Sequence, residues 1–357
     1  MTPGRPMDVT ADEHPAGPDA DAAAAAPPQP DVAPRRPARR HLRWRAVIGL
    51  ASIAGLAVAA VSTVDDAREQ ALPGAAPLAA ALVLQVVAMV FAARGWATVF
   101  PPDVDRRAVV RGLYTSQLTK YLPAGGFVQA ASQVALSSRD TGIAVAAMRL
   151  PVFATCSVAA AATAGAALAV AGDLAPWARV AAGLGLGLLL LLDRRLLARA
   201  LGMARRVVRR LPPPDALPDQ RSILRCYGYV LVGQIAYAVA FAALLNDLAQ
   251  VDDVAAAAAF SAGWGLGYLA LPLPSGVLVR EGVLIATLPG LATGSLLAAS
   301  VAHRLTGFLA EALLAGRAHA GALGRRRDRG PADVGPPATR PAPSPPEGPP
   351  RRSDTLS

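Results

Sequence analysis

Apolar runs close to the ~20 residues that a bilayer-crossing helix needs recur along this chain. They lie at 45–64, 76–100, 143–171, 178–193, 223–246, 254–271, 277–291 and 295–317. A chain so patterned cannot hide that much apolar surface in one water-soluble core. Charged residues are only 17% of the 357, against roughly a quarter in soluble domains. The sequence therefore predicts an all-α fold, a polytopic transmembrane helical bundle of about eight spans. The formal net charge of +10 invites a nucleic-acid reading, but the arginines flank the apolar runs and fill the tails. That placement follows the positive-inside rule better than a nucleic-acid-binding face.

Three regions follow from composition. Residues 1–40 are rich in Ala, Pro, Asp and Arg without apolar periodicity and read as a disordered tail, as does the Pro/Arg-rich stretch 322–357. Residues 41–321 form the membrane domain. The first apolar run begins too far into the chain for an ordinary signal peptide and reads as an uncleaved span. Arginines precede that run, return at 106–111 and crowd the 194–222 connection, whereas Asp65, Asp66, Glu69, Asp247, Asp252 and Asp253 occupy the opposite loops. Both termini are then expected in the cytoplasm of a multi-pass cell-membrane protein.

Two Pro/Gly-broken, charge-bearing stretches interrupt this pattern. One is Lys120-Tyr121-Leu122-Pro123-Ala124-Gly125-Gly126-Phe127-Val128-Gln129, and the other runs from Leu271 through Pro272, Pro274, Ser275 and Gly276 to Arg280-Glu281-Gly282. In hydrocarbon a broken helix is tolerated only where it is buried in protein or lines a wet cavity. One break in each half of the chain points to a polar site near the bilayer midplane. Segment 112–136 is too short and too interrupted to cross, so a re-entrant hairpin is the simplest expectation. Segment 277–291 is kept as a short span, with a second re-entrant element as its alternative. Pro123, Gly125, Gly126, Pro274 and Gly276 are the helix-breaking residues.

Lys120 is the only lysine in a chain that otherwise uses arginine. With Tyr121 and Gln129 it either snorkels to the interface or presents a cation to an anionic group. Charges within spans are costly and usually face a bundle interior. Adjacent helical residues do not face each other, so Arg280 and Glu281 are expected to seek different partners, with Arg304 and Glu311 as candidates. Lys120, Tyr121, Gln129, Arg280, Glu281, Arg304 and Glu311 make up the candidate substrate-binding set. A structural network tying two helices together is the competing reading. The mixed arginine and apolar stretch at 194–210 reads either as a surface helix for anionic lipid or as an ordinary cytoplasmic loop.

No catalytic residues emerge. The outward acidic pairs are weak signals for a sugar transferase, and Asp103 and Asp105 precede a run of arginines on the expected cytoplasmic side. Cys156 and Cys226 lack metal-like spacing and read as small buried residues. His14, His41, His303 and His319 are scattered. No metal and no cofactor are expected.

The first broken stretch, with Arg139 and Gly142 after it, resembles the motif of lysylphosphatidylglycerol synthase-type transmembrane proteins, the flippase-like domain of aminoacyl-phosphatidylglycerol synthases. The second stretch is similar to that family's later Pro/Gly–Arg–Glu–Gly element, and His303-Arg304-Leu305 to its late arginine element. Ala124, Ser275 and Leu278 depart from the pattern. The resemblance covers about residues 45–320 and implies a stand-alone domain without aminoacyl transfer. It implies binding and translocation of an anionic phospholipid or a lipid-linked intermediate, with membrane lipids as partners and an envelope-biosynthesis enzyme as a possible one. The rival implication is a membrane-embedded glycosyltransferase, or its accessory subunit, using polyprenyl-phosphate-linked sugars.

Overall fold

The structure, a computed structural model, describes residues 72–121, 125–138, 142–171, 186–207, 217–269 and 279–328. All of them fall in the unit Trp44–Ser357. The expected span 45–64 and the first half of 178–193 lie outside the described residues, as do Pro123, Pro274, Gly276 and Arg139. The described residues are helical, with no strand among them. The helices are α1 (Ala75–Thr98), α2 (Arg106–Leu118), α3 (Gly125–Ser137), α4 (Ile143–Ala171), α5 (Arg194–Val207), α6 (Gln220–Ala249), α7 (Asp253–Leu269), α8 (Val279–Thr287) and α9 (Thr293–Asp328). Short 3₁₀ turns cover Thr119–Tyr121 and Gly187–Leu192.

Four of these helices are long and apolar enough to cross a membrane: Ala75–Thr98, Ile143–Ala169, Gln220–Ala249 and Thr293–Ala322. Their outward surfaces suit lipid. On α9 the exposed large residues Val301, Leu305, Phe308 and Leu309 form a single stripe, while His303, Thr306, Ala310 and Glu311 turn inward. A helix apolar on its outer face and polar on its inner one is inverted relative to a water-soluble bundle.

Segment 277–291 does not supply a span by itself. Its helix α8 has nine residues, about 14 Å at 1.5 Å per residue, against a hydrocarbon core of ~30 Å. Helix α7, with 17 residues, reaches about 26 Å. Segment 112–136 is a helix–break–helix hairpin, α2 packed against α3. Polar side chains stitch it: Thr119 Oγ1 meets Ser132 Oγ at 3.0 Å, and Gln129 Nε2 donates to Gln117 Oε1 at 2.9 Å. Helix α9 continues to Asp328, past residue 322 where the sequence pattern places the start of the tail.

The bundle closes through small residues. Helices α1 and α6 share the most extensive contact and run antiparallel, since Gly74 N donates to Asp247 Oδ2 at 2.8 Å while Gly95 lies against Cys226. A methyl group at Gly233 would stand 2.9 Å from the Ala88 carbonyl oxygen, so only glycine permits this approach. Helix α7 buries Ala255 through Ala259 against α4, α6 and α8. With lipid on the outside no hydrophobic gradient pulls helices together, and close van der Waals packing over small residues does that work. Cys156 and Cys226 are fully buried free thiols in this interior.

Candidate functional site

The site grows from the inner face of α9. Arg304 and Glu311 lie seven residues apart on that helix, two turns along one face, in the central third of the 30-residue span Thr293–Ala322. About 10 Å of helix rise separates them. Each anchors one cluster of charge.

The upper cluster contains three charges. Arg280, on the first turn of α8, donates from Nε and from NH2 to Glu281 Oε1 at 3.2 and 3.0 Å. Arg304 NH2 donates to the same oxygen at 2.8 Å. The expectation that Arg280 and Glu281 seek different partners is therefore corrected for Arg280, which meets its own neighbour, whereas Glu281 also takes the candidate Arg304. At the very start of a short helix the long guanidinium stem folds back along the axis, so neighbours that point apart at Cβ still meet at their tips. Arg280 is held in that posture from behind. Its guanidinium carbon stands 5.4 Å above the Phe260 ring, and its backbone lies against Gly263 of α7, where a Cβ would be 3.1 Å from the Arg280 carbonyl oxygen. The Arg280, Glu281 and Arg304 side chains are 8%, 13% and 28% exposed.

The lower cluster joins the hairpin to α9. Lys120 Nζ pairs with Glu311 Oε1, whose side chain is almost wholly buried. Lys120 thus answers Glu311, which is not a partner of Arg280 or Glu281. The Lys120 ammonium also stands 5.2 Å over the Tyr121 ring, and Tyr121 packs edge-on against Phe308 of α9 at 5.2 Å. The 3₁₀ turn Thr119–Tyr121 just before the break is what delivers Lys120 to this depth. A lysine that follows a regular helix turn would have leaned back along α2 instead.

Six of the seven expected residues thus converge on α9, directly or through a neighbour. Gln129 does not; its amide stays within the hairpin on Gln117. Gly125 and Gly126 open α3. Gly142 has φ +82° with open space around its α-carbon, a left-handed turn that suits glycine before α4.

The structure adds residues that the sequence pattern passed over. His303, next to Arg304 on α9, is fully buried in an aromatic cage of Tyr237, Phe241 and Phe260, with Nε2 3.1 Å from the Tyr237 carbonyl oxygen. Gln85 of α1 is also fully buried. Its Nε2 donates to His303 O at 3.0 Å and to Thr306 Oγ1 at 2.8 Å, while its Oε1 occupies the space left by the missing side chain of Gly307. Arg149, within α4, is another buried cation. A single polar residue inside an apolar run is the signal that marks Gln85 and Arg149. His303 carries the same signal.

The arrangement has a definite chemistry. Three cations and two carboxylates meet on the inner face of a spanning helix, which leaves the described cluster one positive charge in excess. The chain between α7 and α8, 270–278, contributes no charged residue to offset it. Two guanidinia sharing one carboxylate oxygen bring together two planar sets of N–H donors of the kind that suits a phosphate or carboxylate. No family model matches the chain, and no curated protein matches it.

Proposed function

We propose that this protein binds an anionic phospholipid or lipid-linked intermediate through Arg280 and Arg304 and carries its headgroup across the cytoplasmic membrane. The observation that supports this reading is the Arg280–Glu281–Arg304 group. It is a net cationic donor array on the central third of a spanning helix, next to a Pro/Gly-broken stretch. Glu281 holds both guanidinia in place while no ligand is present, and an incoming anion takes over part of its role. Lys120–Glu311 ties the broken hairpin to the same helix, so movement of the hairpin and occupation of the site are mechanically linked. In this reading the hairpin 112–136 is re-entrant, both termini and the 194–222 connection are cytoplasmic, and the chain is a member of the lysylphosphatidylglycerol synthase-type transmembrane family.

The test is translocation of a fluorescent phosphatidylglycerol in vesicles reconstituted with the full chain. Arg280→Lys keeps the charge but replaces a forked, two-point donor by a single ammonium. It should insert and fold normally yet translocate about tenfold more slowly, the equivalent of one lost charge-assisted hydrogen bond of roughly 1.5 kcal/mol. Unimpaired transport by this variant would leave Arg280 as a structural tie and end the proposal.

A further inference from the structure

The helix α5 lies outside both charge clusters and has a surface that neither explains. It presents three strips. Leu197 and Leu201 face the protein, Leu197 being buried. Arg195, Arg199 and Arg206 stand exposed on a second strip at helical spacing. Leu196 and Met203, seven residues apart, form a third, exposed and apolar strip beside the arginines, with Met203 61% accessible. No acidic residue occurs within Arg194–Val207; Asp193 caps the helix through the backbone N–H groups of Arg195 and Leu196 at 2.8 and 3.0 Å, and Asp219, which lines a pocket with Arg194 and Arg195, caps α6 through Ser222 N.

The height of this helix is fixed by its attachment. Gln220, the first residue of the spanning helix α6, accepts from Arg194 N at 2.8 Å and donates from Nε2 to Leu192 O at 2.9 Å. Arg194 Nε donates to Pro218 O at 3.1 Å. The start of α5 is thus bolted to the first residue of a helix long and apolar enough to cross a membrane, whose apolar run begins at Ile223, about 5 Å of helix rise further on. A row of arginines beside an exposed apolar strip at that level matches an acidic headgroup layer over acyl chains.

We infer that α5 is an interfacial helix that docks on anionic lipid headgroups, Arg195, Arg199 and Arg206 supplying the charge contacts and Leu196 and Met203 dipping into the acyl boundary. The surface is separate from the Arg280 site, so its loss leaves the translocation reading intact.

A Met203→Cys protein labelled with an environment-sensitive nitrobenzoxadiazole reports on this directly, because Cys156 and Cys226 have no exposed surface and leave position 203 as the labelled site. The full chain is placed in nanodiscs of phosphatidylcholine alone or mixed with phosphatidylglycerol. Emission should shift to the blue only with phosphatidylglycerol. The shift should vanish as salt rises to ~1 M, where the screening length falls to about 3 Å. Combining Arg195, Arg199 and Arg206→Gln should abolish the shift, whereas the corresponding lysine substitutions should keep most of it. Salt titration of the labelled protein with all its arginines gives the same answer if the triple glutamine variant misfolds. Equal emission in both lipid compositions, or a shift indifferent to salt, would overturn the inference and leave the arginines as determinants of topology alone.

Discussion

Replacing Glu281 by glutamine removes the one carboxylate on which two guanidinia lean. Its Oε1 accepts three N–H groups at 3.2, 3.0 and 2.8 Å, and the change raises the local charge from +1 to +2. Removing one partner of a buried pair costs ~3–5 kcal/mol when the remaining charge cannot escape. Arg280, at 8% side-chain exposure, is such a charge. Arg304, at 28%, can turn toward water and contributes only the ~0–1 kcal/mol of a partly solvated pair. The glutamine carbonyl still accepts one hydrogen bond and returns about 1 kcal/mol. The net expectation is a loss of roughly 2–5 kcal/mol, measured by titrating the protein in mixed micelles with dodecyl sulfate and following helix content. The decisive arm is the Glu281→Gln, Arg304→Gln double variant. Removing Arg304 relieves the repulsion on Arg280, so the two changes should be less than additive by ~0.5–3 kcal/mol. A Glu281→Gln loss below about 0.5 kcal/mol, or strict additivity, would refute the idea that one carboxylate holds both cations.

Other outcomes follow from single contacts. Gly233→Ala places a methyl group 2.9 Å from the Ala88 carbonyl oxygen and should destabilise the α1–α6 interface by ~1–3 kcal/mol in the same titration. Gly307→Ala displaces Gln85 Oε1, 2.6 Å from the new carbon, and should cost a similar ~1–3 kcal/mol; Gln85→Ala added to it should restore part of the loss by vacating that space. Asp219 caps α6 by accepting from Ser222 N at 3.2 Å, and hydrogen bonding from the Ser222 hydroxyl first, with the backbone N–H adding to it, holds its carboxyl below the usual aspartate value of 3.8. Because the folded value is the lower one, its stabilisation is complete above the unfolded value and fades only as pH falls through the folded one. Asp219→Ala should therefore lower stability by ~0.5–2 kcal/mol at neutral pH and make little difference in strong acid. For topology, a membrane-impermeant maleimide applied from outside cells should label a cysteine at position 249 and spare cysteines at 110, 140 and 208. External labelling of either 110 or 140 without the other would mean that the hairpin crosses the bilayer.

The sequence by itself determined the environment and the polar positions. Runs such as 76–100 and 223–246 are apolar for ~20 residues or more because lipid, unlike water, demands it of every face, and α1 and α6 follow them closely. The same rule makes each intramembrane charge conspicuous, which is why Lys120, Arg280, Glu281, Arg304 and Glu311 stood out before any fold was known. Pro123, Gly125 and Gly126 likewise announced that α2 and α3 could not be one helix. Only the tertiary structure decided who pairs with whom. Seven-residue spacing places Arg304 and Glu311 on one face, but it does not say that the hairpin delivers Lys120 to Glu311, or that Arg280 folds back onto its own neighbour. Those pairings depend on a 3₁₀ turn at Thr119–Tyr121 and on the close approach that Gly263 permits. They are set by distances between elements far apart in the chain, and hydropathy carries no information about such distances. His303 makes the same point: the sequence shows a histidine beside Arg304, and only packing against Tyr237, Phe241 and Phe260 shows it enclosed in an aromatic cage.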